Sequence, residues 1–331
     1  MPWIMFVVSS AIVVVAASKL AEYGDIIAVR TRLGGLFVGT ILLAAATSLP
    51  ELMASISAFR LGAPDLAAGN FFGSNMVNMF LLALVDLVNF NVPLLRSQAI
   101  TQTLTAALAA ALMTVATIFV LADVDLLIGW VSVESLLLIA LYFGGVWLVQ
   151  QEGKLASGGI AQAEVVPGPG FPTLRRGLLG FLVATVILVA VVPQLVEAST
   201  EIAAITGLGT GFVGTVLLSI VTSLPELLAA LAAVRLGAIE LAVGNLFGSS
   251  VFNMLALGLA DFFYVSGSFL NDISNDFALV GLLGLLLTLM ALLGNIARVE
   301  RRVLFVELDA VAIIVCYLLG IYLLFLHGAA V

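Results

Sequence analysis

Long apolar stretches separated by short polar connections recur along the whole chain, near residues 3–20, 34–60, 66–88, 98–121, 126–149, 177–203, 208–235, 241–264, 277–297 and 303–326. A helix needs about 20 mostly apolar residues to cross the hydrocarbon core of a bilayer. The pattern therefore predicts an all-α membrane protein of ten transmembrane helices. Ten spans use up the 331 residues and leave nothing for a folded soluble domain. Composition agrees, because the chain is 63% hydrophobic and only 10% charged, whereas soluble domains carry about 25% charged residues.

The same composition removes several chemistries. The single Cys316 lies in an apolar run and the only histidine is His327, near the end. Disulfide frameworks, zinc sites and histidine-dependent catalysis are excluded. No hydrolytic dyad and no cofactor motif is visible, so neither an enzyme nor a bound cofactor is expected. The net charge of −8 comes without a basic cluster, which argues against nucleic acid. The bilayer is the expected partner, and nothing points to a protein partner.

Lys and Arg are retained on the cytoplasmic side of membrane proteins. Counted from an external N-terminus, the odd-numbered connections hold Arg30, Arg32, Arg96, Lys154, Arg175, Arg176, Arg235, Arg298, Arg301 and Arg302, and the even-numbered ones hold only Arg60. Ten against one places both termini outside, in what is expected to be the plasma membrane. Lys19 sits low in the first span. External connections carry Asp65, Asp123, Asp125, Asp272 and Asp276, which need be no more than solvated loops. The first span ends in the small residues Val15-Ala16-Ala17-Ser18, yet no basic residue precedes it as in a signal peptide. It is expected to be a helix of the mature protein. Only Gln151 to Arg175 has a linker composition, rich in Gly and Pro. The expected division is a first half at 1–150, a cytoplasmic linker at 151–175 and a second half at 176–331.

The two halves repeat. Offset by 175 residues, Gly39 to Asp86 aligns without a gap on Gly214 to Asp261, with 28 of 48 positions identical. The matches include Thr47-Ser48-Leu49-Pro50-Glu51 with Thr222-Ser223-Leu224-Pro225-Glu226, Gly69-Asn70 with Gly244-Asn245, Gly73-Ser74 with Gly248-Ser249, Asn78 with Asn253, and Asp86 with Asp261. Five spans per half is an odd number, so the second copy enters the membrane from the opposite side. The halves are predicted to be inverted-topology repeats, an arrangement typical of secondary transporters that bind substrate near the midplane.

Glu51 and Glu226 fall about halfway along spans two and seven, where an unpaired carboxylate costs several kcal/mol. Arg60 and Arg235 lie nine residues on, about 13 Å along a helix, too far to pair. Each acid is left with the other, a proton or a bound cation. Pro50 and Pro225 break their helices and free carbonyls around Ala46 and Val221, tolerable at membrane depth only inside protein or beside a cavity. Thr47, Ser48, Thr222 and Ser223 place hydroxyls one turn from the acids. Ser74 and Asn78 share a face of span three, as Ser249 and Asn253 do on span eight. All these ligands are hard oxygens, which select Ca²⁺, Mg²⁺ or Na⁺ over zinc, copper or iron, and calcium tolerates irregular geometry best. Plainer roles compete: back-bonded hydroxyls, Asn bonding between helices, and close packing at Gly69, Gly73, Gly244 and Gly248.

On these residues the chain resembles the calcium/cation antiporter superfamily, in particular its sodium/calcium exchanger branch, whose two α-repeats carry G-T-S-x-P-E/D followed by G-N-x-x-G-S-x-x-x-N. The match covers about 96 residues directly, and the five-plus-five layout extends it to almost the whole chain. The resemblance implies clustered cation sites, one favouring Ca²⁺ and others Na⁺. By position it implies ligation by Thr47, Ser48, Glu51, Ser74 and Asn78 with Thr222, Ser223, Glu226, Ser249 and Asn253. It further implies main-chain ligation at Ala44 and Ser219, and gating by spans one and six sliding over the rest. Three positions depart from the pattern. Ala46 and Val221 replace the motif glycine, which bears on gating and ion access. Asn253 stands where potassium-dependent relatives have aspartate, which points away from a potassium requirement. Leu52 and Leu227 stand where the proton/calcium branch has histidine, which favours sodium. The resulting expectation is a Na⁺/Ca²⁺ antiporter, with a proton-driven or other divalent-cation exchanger of the same fold, or a passive cation channel, as alternatives.

Overall fold

The computed structural model describes residues 1–31, 44–88, 100–122, 124, 126–156, 170–297, 302–303 and 306–326. The start of span two, Arg32, Arg96, Asp123, Asp125, Arg298, Arg301, His327 and residues 157–169 of the linker lie outside them. Helices dominate: α1 (Pro2–Thr31), α2 (Leu49–Arg60), α3 (Pro64–Val88), α4 (Ile100–Ala122), α5 (Val133–Ala156), α6 (Leu174–Thr206), α7 (Thr210–Arg235), α8 (Ile239–Ala260), α9 (Phe277–Ala297) and α10 (Leu308–Leu326). Among the described residues nine helices are long and apolar enough to cross a membrane.

Several ends differ from the sequence expectation, for local reasons. Helix α9 runs from Phe277 to Ala297, as its apolar run predicts. Helices α1 and α6 are longer, at 30 and 33 residues, because each continues past its apolar stretch into polar turns. The last turns of α1 are held by Arg30, which donates to the carbonyls of Pro172 and Phe171 ahead of α6 and lies over the Phe171 ring. Helix α5 starts later than its hydropathy suggests. Residues Leu127–Ile128 and Val131–Ser132 turn around Gly129, at φ 71°, and pair as a two-residue antiparallel ribbon. A second ribbon, Arg302–Val303 with Val306–Glu307, precedes α10.

Burial sorts the helices into a centre and a rim. In α3 and α8, 78% and 72% of the spanning window is buried inside the protein, against 39% for α1 and 28% for α6. Helix α3 is uniformly buried from Leu66 to Met79. It crosses α7 in backbone contact: a Cβ on Gly69 would sit 2.4 Å from the Gly211 carbonyl oxygen, and one on Gly73 would sit 2.5 Å from that of Thr215. These small-residue positions let two polar helices approach closely in a medium where packing, not water exclusion, holds helices together. Gly244 faces the Gln102 side chain. At the contact with α3, α7 itself widens into a π turn, Gly214–Leu218.

A large side chain at Gly73 should therefore separate α3 from α7. Gly73→Leu is expected to abolish the monodisperse peak of the detergent-solubilised protein in size-exclusion chromatography. Gly144→Ala, where a Cβ meets nothing within 4 Å, should leave the peak and the melting temperature intact.

Candidate functional site

Helix α2 begins at a break. Residues 44–47 form a helical turn, Ser48 bends away at φ −90°, ψ 6°, and Leu49 starts the next helix with Pro50 in its first turn. The second half repeats this at Ser223, φ −88°, ψ 0°, with Pro225 opening the helix that runs to Arg235. A proline is tolerated at a helix start because its missing N–H would be unpaired there anyway. Glu51 and Glu226 consequently lie in first turns, where the positive end of the helix dipole favours a carboxylate.

Both acids are 1% exposed, and the two breaks are interlocked. Ser48 Oγ donates to Glu226 Oε1 at 3.2 Å, and Ser223 Oγ donates to Glu51 Oε1 at 3.4 Å. Each carboxylate is thus bonded by the serine of the opposite break. Asn70 of α3 donates to the Glu51 carbonyl at 3.1 Å, and Asn245 of α8 donates to the Glu226 carbonyl at 3.3 Å. Asn70 also accepts from Thr222 Oγ1 at 3.1 Å, so one amide joins both broken helices. Thr47 Oγ1 lies 3.2 Å from the Ala44 carbonyl and 3.4 Å from Ser249 Oγ.

The amides one turn further along are turned by neighbours. Asn78 Nδ2 donates to Ser250 Oγ at 3.4 Å, and Asn253 Nδ2 donates to Asn75 Oδ1 at 3.1 Å. With their donors so engaged, Asn78 and Asn253 keep Oδ1 buried and without a hydrogen-bond partner. The same holds for Ser74 Oγ, Glu51 Oε2 and Glu226 Oε2. A buried oxygen without a partner costs about 1–3 kcal/mol. Five such atoms on residues singled out for one site form a donor set of carboxylate, amide and hydroxyl oxygen that suits a hard cation. Among the described residues no three or more His, Cys, Asp or Glu are grouped so as to hold a metal ion, so the acidic centre is a pair.

The two main-chain positions behave differently. The Ala44 carbonyl accepts from Ser48 N–H at 2.9 Å as well as from Thr47. The Ser219 carbonyl accepts from Ser223 N–H at 3.0 Å and faces Thr222 Oγ1 at 3.3 Å. The single Thr222 proton goes to Asn70 Oδ1, so the Ser219 oxygen is not closed by it, whereas a cation reaches the Ala44 oxygen only when the Thr47 hydroxyl rotates.

Asn75 and Ser250 were not anticipated from sequence. They occupy equivalent positions of the repeat but differ in identity, so a search for identical residues passes over them. Asn70 and Asn245 are identical in the repeat, but nothing in the sequence showed that they clamp the carbonyls of the two acids.

A family model described as sodium/calcium exchanger protein matches residues 1–150 and 176–327. The inner membrane protein YrbG of Escherichia coli (strain K12) is 27% identical over 260 residues, 77% of this chain and 78% of that protein. The sodium/calcium exchanger MaX1 of Methanosarcina acetivorans is 40% identical over 76 residues, 23% of this chain and 22% of that protein. The crystal structure of an H⁺/Ca²⁺ exchanger, CAX, superposes with a TM-score of 0.68 at 17% identity, covering 97% of this chain and 88% of that one, a likeness of fold. With a matching model on both sides of the linker and apolar helices throughout, the chain is an integral membrane protein of the sodium/calcium exchanger family.

Proposed function

We propose that the protein is a secondary active antiporter that exchanges Na⁺ for Ca²⁺ by alternating access, its two ions competing for a midplane site built on Glu51 and Glu226. The observation that carries this reading is the interlocked pair of buried carboxylates, each bonded by the serine of the opposite break and each keeping one oxygen without a partner. An acid pair so enclosed is stable only with compensating positive charge. Ser74, Asn78 and Asn253 complete the coordination with their unpartnered oxygens, and Thr47, Ser249, Thr222, Ser48 and Ser223 supply hydroxyls. Ala44 adds a main-chain oxygen after rotation of Thr47, and Ser219 adds another.

Coupling follows from competition. One Ca²⁺ and the Na⁺ ions that replace it need the same two negative charges, so the site cannot hold both loads. If three Na⁺ exchange for one Ca²⁺, one net charge crosses per cycle, worth about 2.3 kcal/mol per 100 mV. The reading includes ten spans in two inverted repeats of five, with both termini outside and the linker in the cytoplasm. The reciprocal bonds between breaks and the distribution of Lys and Arg support it. The plasma membrane is the proposed location.

Sodium is favoured over protons by Leu52 and Leu227 beside the two acids, and by the relative named a sodium/calcium exchanger that matches part of the chain. The second reading is a proton-driven exchanger, because a carboxylate pair can also be neutralised by protons and the fold is shared with an H⁺/Ca²⁺ exchanger. Reconstituted into proteoliposomes, the protein is expected to accumulate Ca²⁺ under an imposed Na⁺ gradient and not under a pH gradient alone. Uptake driven only by the pH gradient would select the proton reading, and dissipation of a Ca²⁺ gradient with no coupling to either ion would indicate a channel.

Glu51→Gln or Glu226→Gln leaves a bound Ca²⁺ facing one negative charge in place of two, a loss on the scale of a broken buried ion pair, about 3–5 kcal/mol. The apparent Ca²⁺ affinity is expected to fall by roughly two to four orders of magnitude, read from half-saturation of uptake, with membrane expression unchanged. Unaltered transport by either variant would remove the acids from the mechanism. Asn75→Ala frees the Asn253 amide to rotate, at the scale of one hydrogen bond, about 1 kcal/mol. Half-saturation should rise by about fivefold with little change in maximal rate, and Asn75→Ser, the residue present in the other half, should restore it.

A further inference from the structure

A second polar feature lies away from the acid pair, on the outer face of the paired helices α1 and α6. A groove of about 840 Å³ runs between them. Its walls are apolar and open outward: Ile12, Val15, Val183 and Ile187 are 38–64% exposed. Its charged groups are Arg175 and Arg176 at the start of α6 and Lys19 of α1, about two helical turns further along the groove. The helices run antiparallel there, with Tyr23 packed on Gly180 and Ile26 on Gly177. Arg30 and Phe171 close the junction beneath.

We propose that this groove binds one anionic glycerophospholipid, its acyl chains along the α1–α6 seam and its phosphate held by Lys19, Arg175 and Arg176. Three observations select this occupant. From Arg176 to Ile187 the groove follows eleven residues of α6, about 16 Å, close to the depth of one leaflet, half of a core about 30 Å thick. The lining is apolar along the length a chain would occupy and basic only where a headgroup would lie. The rim is also electrostatically complementary to an anion. Lys19 pairs with Glu22, which offsets one of the three positive charges. Arg175 and Arg176 are exposed and have no ion-pair partner among the described residues. Basic residues at the membrane surface attract anionic lipid in this way. On the orientation proposed above, the lipid belongs to the cytoplasmic leaflet. One headgroup touching both helices ties α1 and α6 into a single body, apart from α2, α3, α7 and α8, which carry the residues of the acid-pair site.

Native mass spectrometry of the detergent-solubilised full chain tests this without any transport measurement, so its outcome is independent of which ions are exchanged. Dioleoyl-phosphatidylglycerol, dioleoyl-phosphatidylcholine and inorganic phosphate are added in separate arms. The phosphatidylglycerol adduct is expected to be retained at least about tenfold more than the phosphatidylcholine adduct, with no phosphate adduct. Arg175→Gln and Arg176→Gln, on the protein surface, should each lower phosphatidylglycerol retention by about fivefold, the scale of one basic residue at a membrane surface. Val183→Trp should displace the lipid with all three charges in place. Equal retention of the two lipids, retention of inorganic phosphate alone, or unchanged phosphatidylglycerol binding in the arginine variants would overturn the proposal.

Discussion

Two carboxylates are buried within the bundle, and no basic side chain is bonded to either among the described residues. In a low-dielectric interior each would be costly by itself. The protein surrounds them with what short polar groups can supply: a serine hydroxyl from the opposite half, the first turn of a helix, and asparagines that fix the adjacent backbone. These groups stabilise negative charge without neutralising it. On the proposed function, the remaining charge is met by the bound cation.

That constraint shapes the helices around it. A carboxylate can reach the middle of the bundle at a helix N-terminus only if a helix stops there, and Ser48-Leu49-Pro50 and Ser223-Leu224-Pro225 supply the two stops. The stops carry polar backbone that must be enclosed. Helix α3 does part of this by pressing Gly69 and Gly73 onto the backbone of α7. The π turn Gly214–Leu218 belongs to the same crossing. It widens α7 by one residue just before the break, a distortion often found at functional positions.

The two halves are alike in sequence but not in their bonds. Asn70 joins the Glu51 carbonyl to Thr222, whereas Asn245 reaches the Glu226 carbonyl and leaves its own Oδ1 without a partner. Asn75 orients Asn253, and a serine, Ser250, does the corresponding work for Asn78. An amide and a hydroxyl hold with different stiffness, so the two sides of the centre are not interchangeable.

Much of this was legible in the chain itself, because it depends on local quantities. The length of an apolar run decides whether a helix spans a bilayer, and the run at 277–297 became α9 residue for residue. An acid beside a proline inside such a run is conspicuous wherever it occurs, and its repetition 175 residues later excludes accident. The ends of α1 and α6, the small ribbon before α5 and the π turn were not legible, since each depends on what a neighbouring helix offers to hold it. The bonds that build the centre join residues more than 170 positions apart. Which oxygen points inward is decided by how two helices are rotated against each other, and that rotation is a property of the packed bundle. The apolar runs, the repeated sequence and the positions of the acids were therefore determined by the sequence alone. The exchange of serines between the breaks, the roles of Asn75 and Ser250 and the basic-rimmed groove on α1 and α6 were decided only when the halves were packed together.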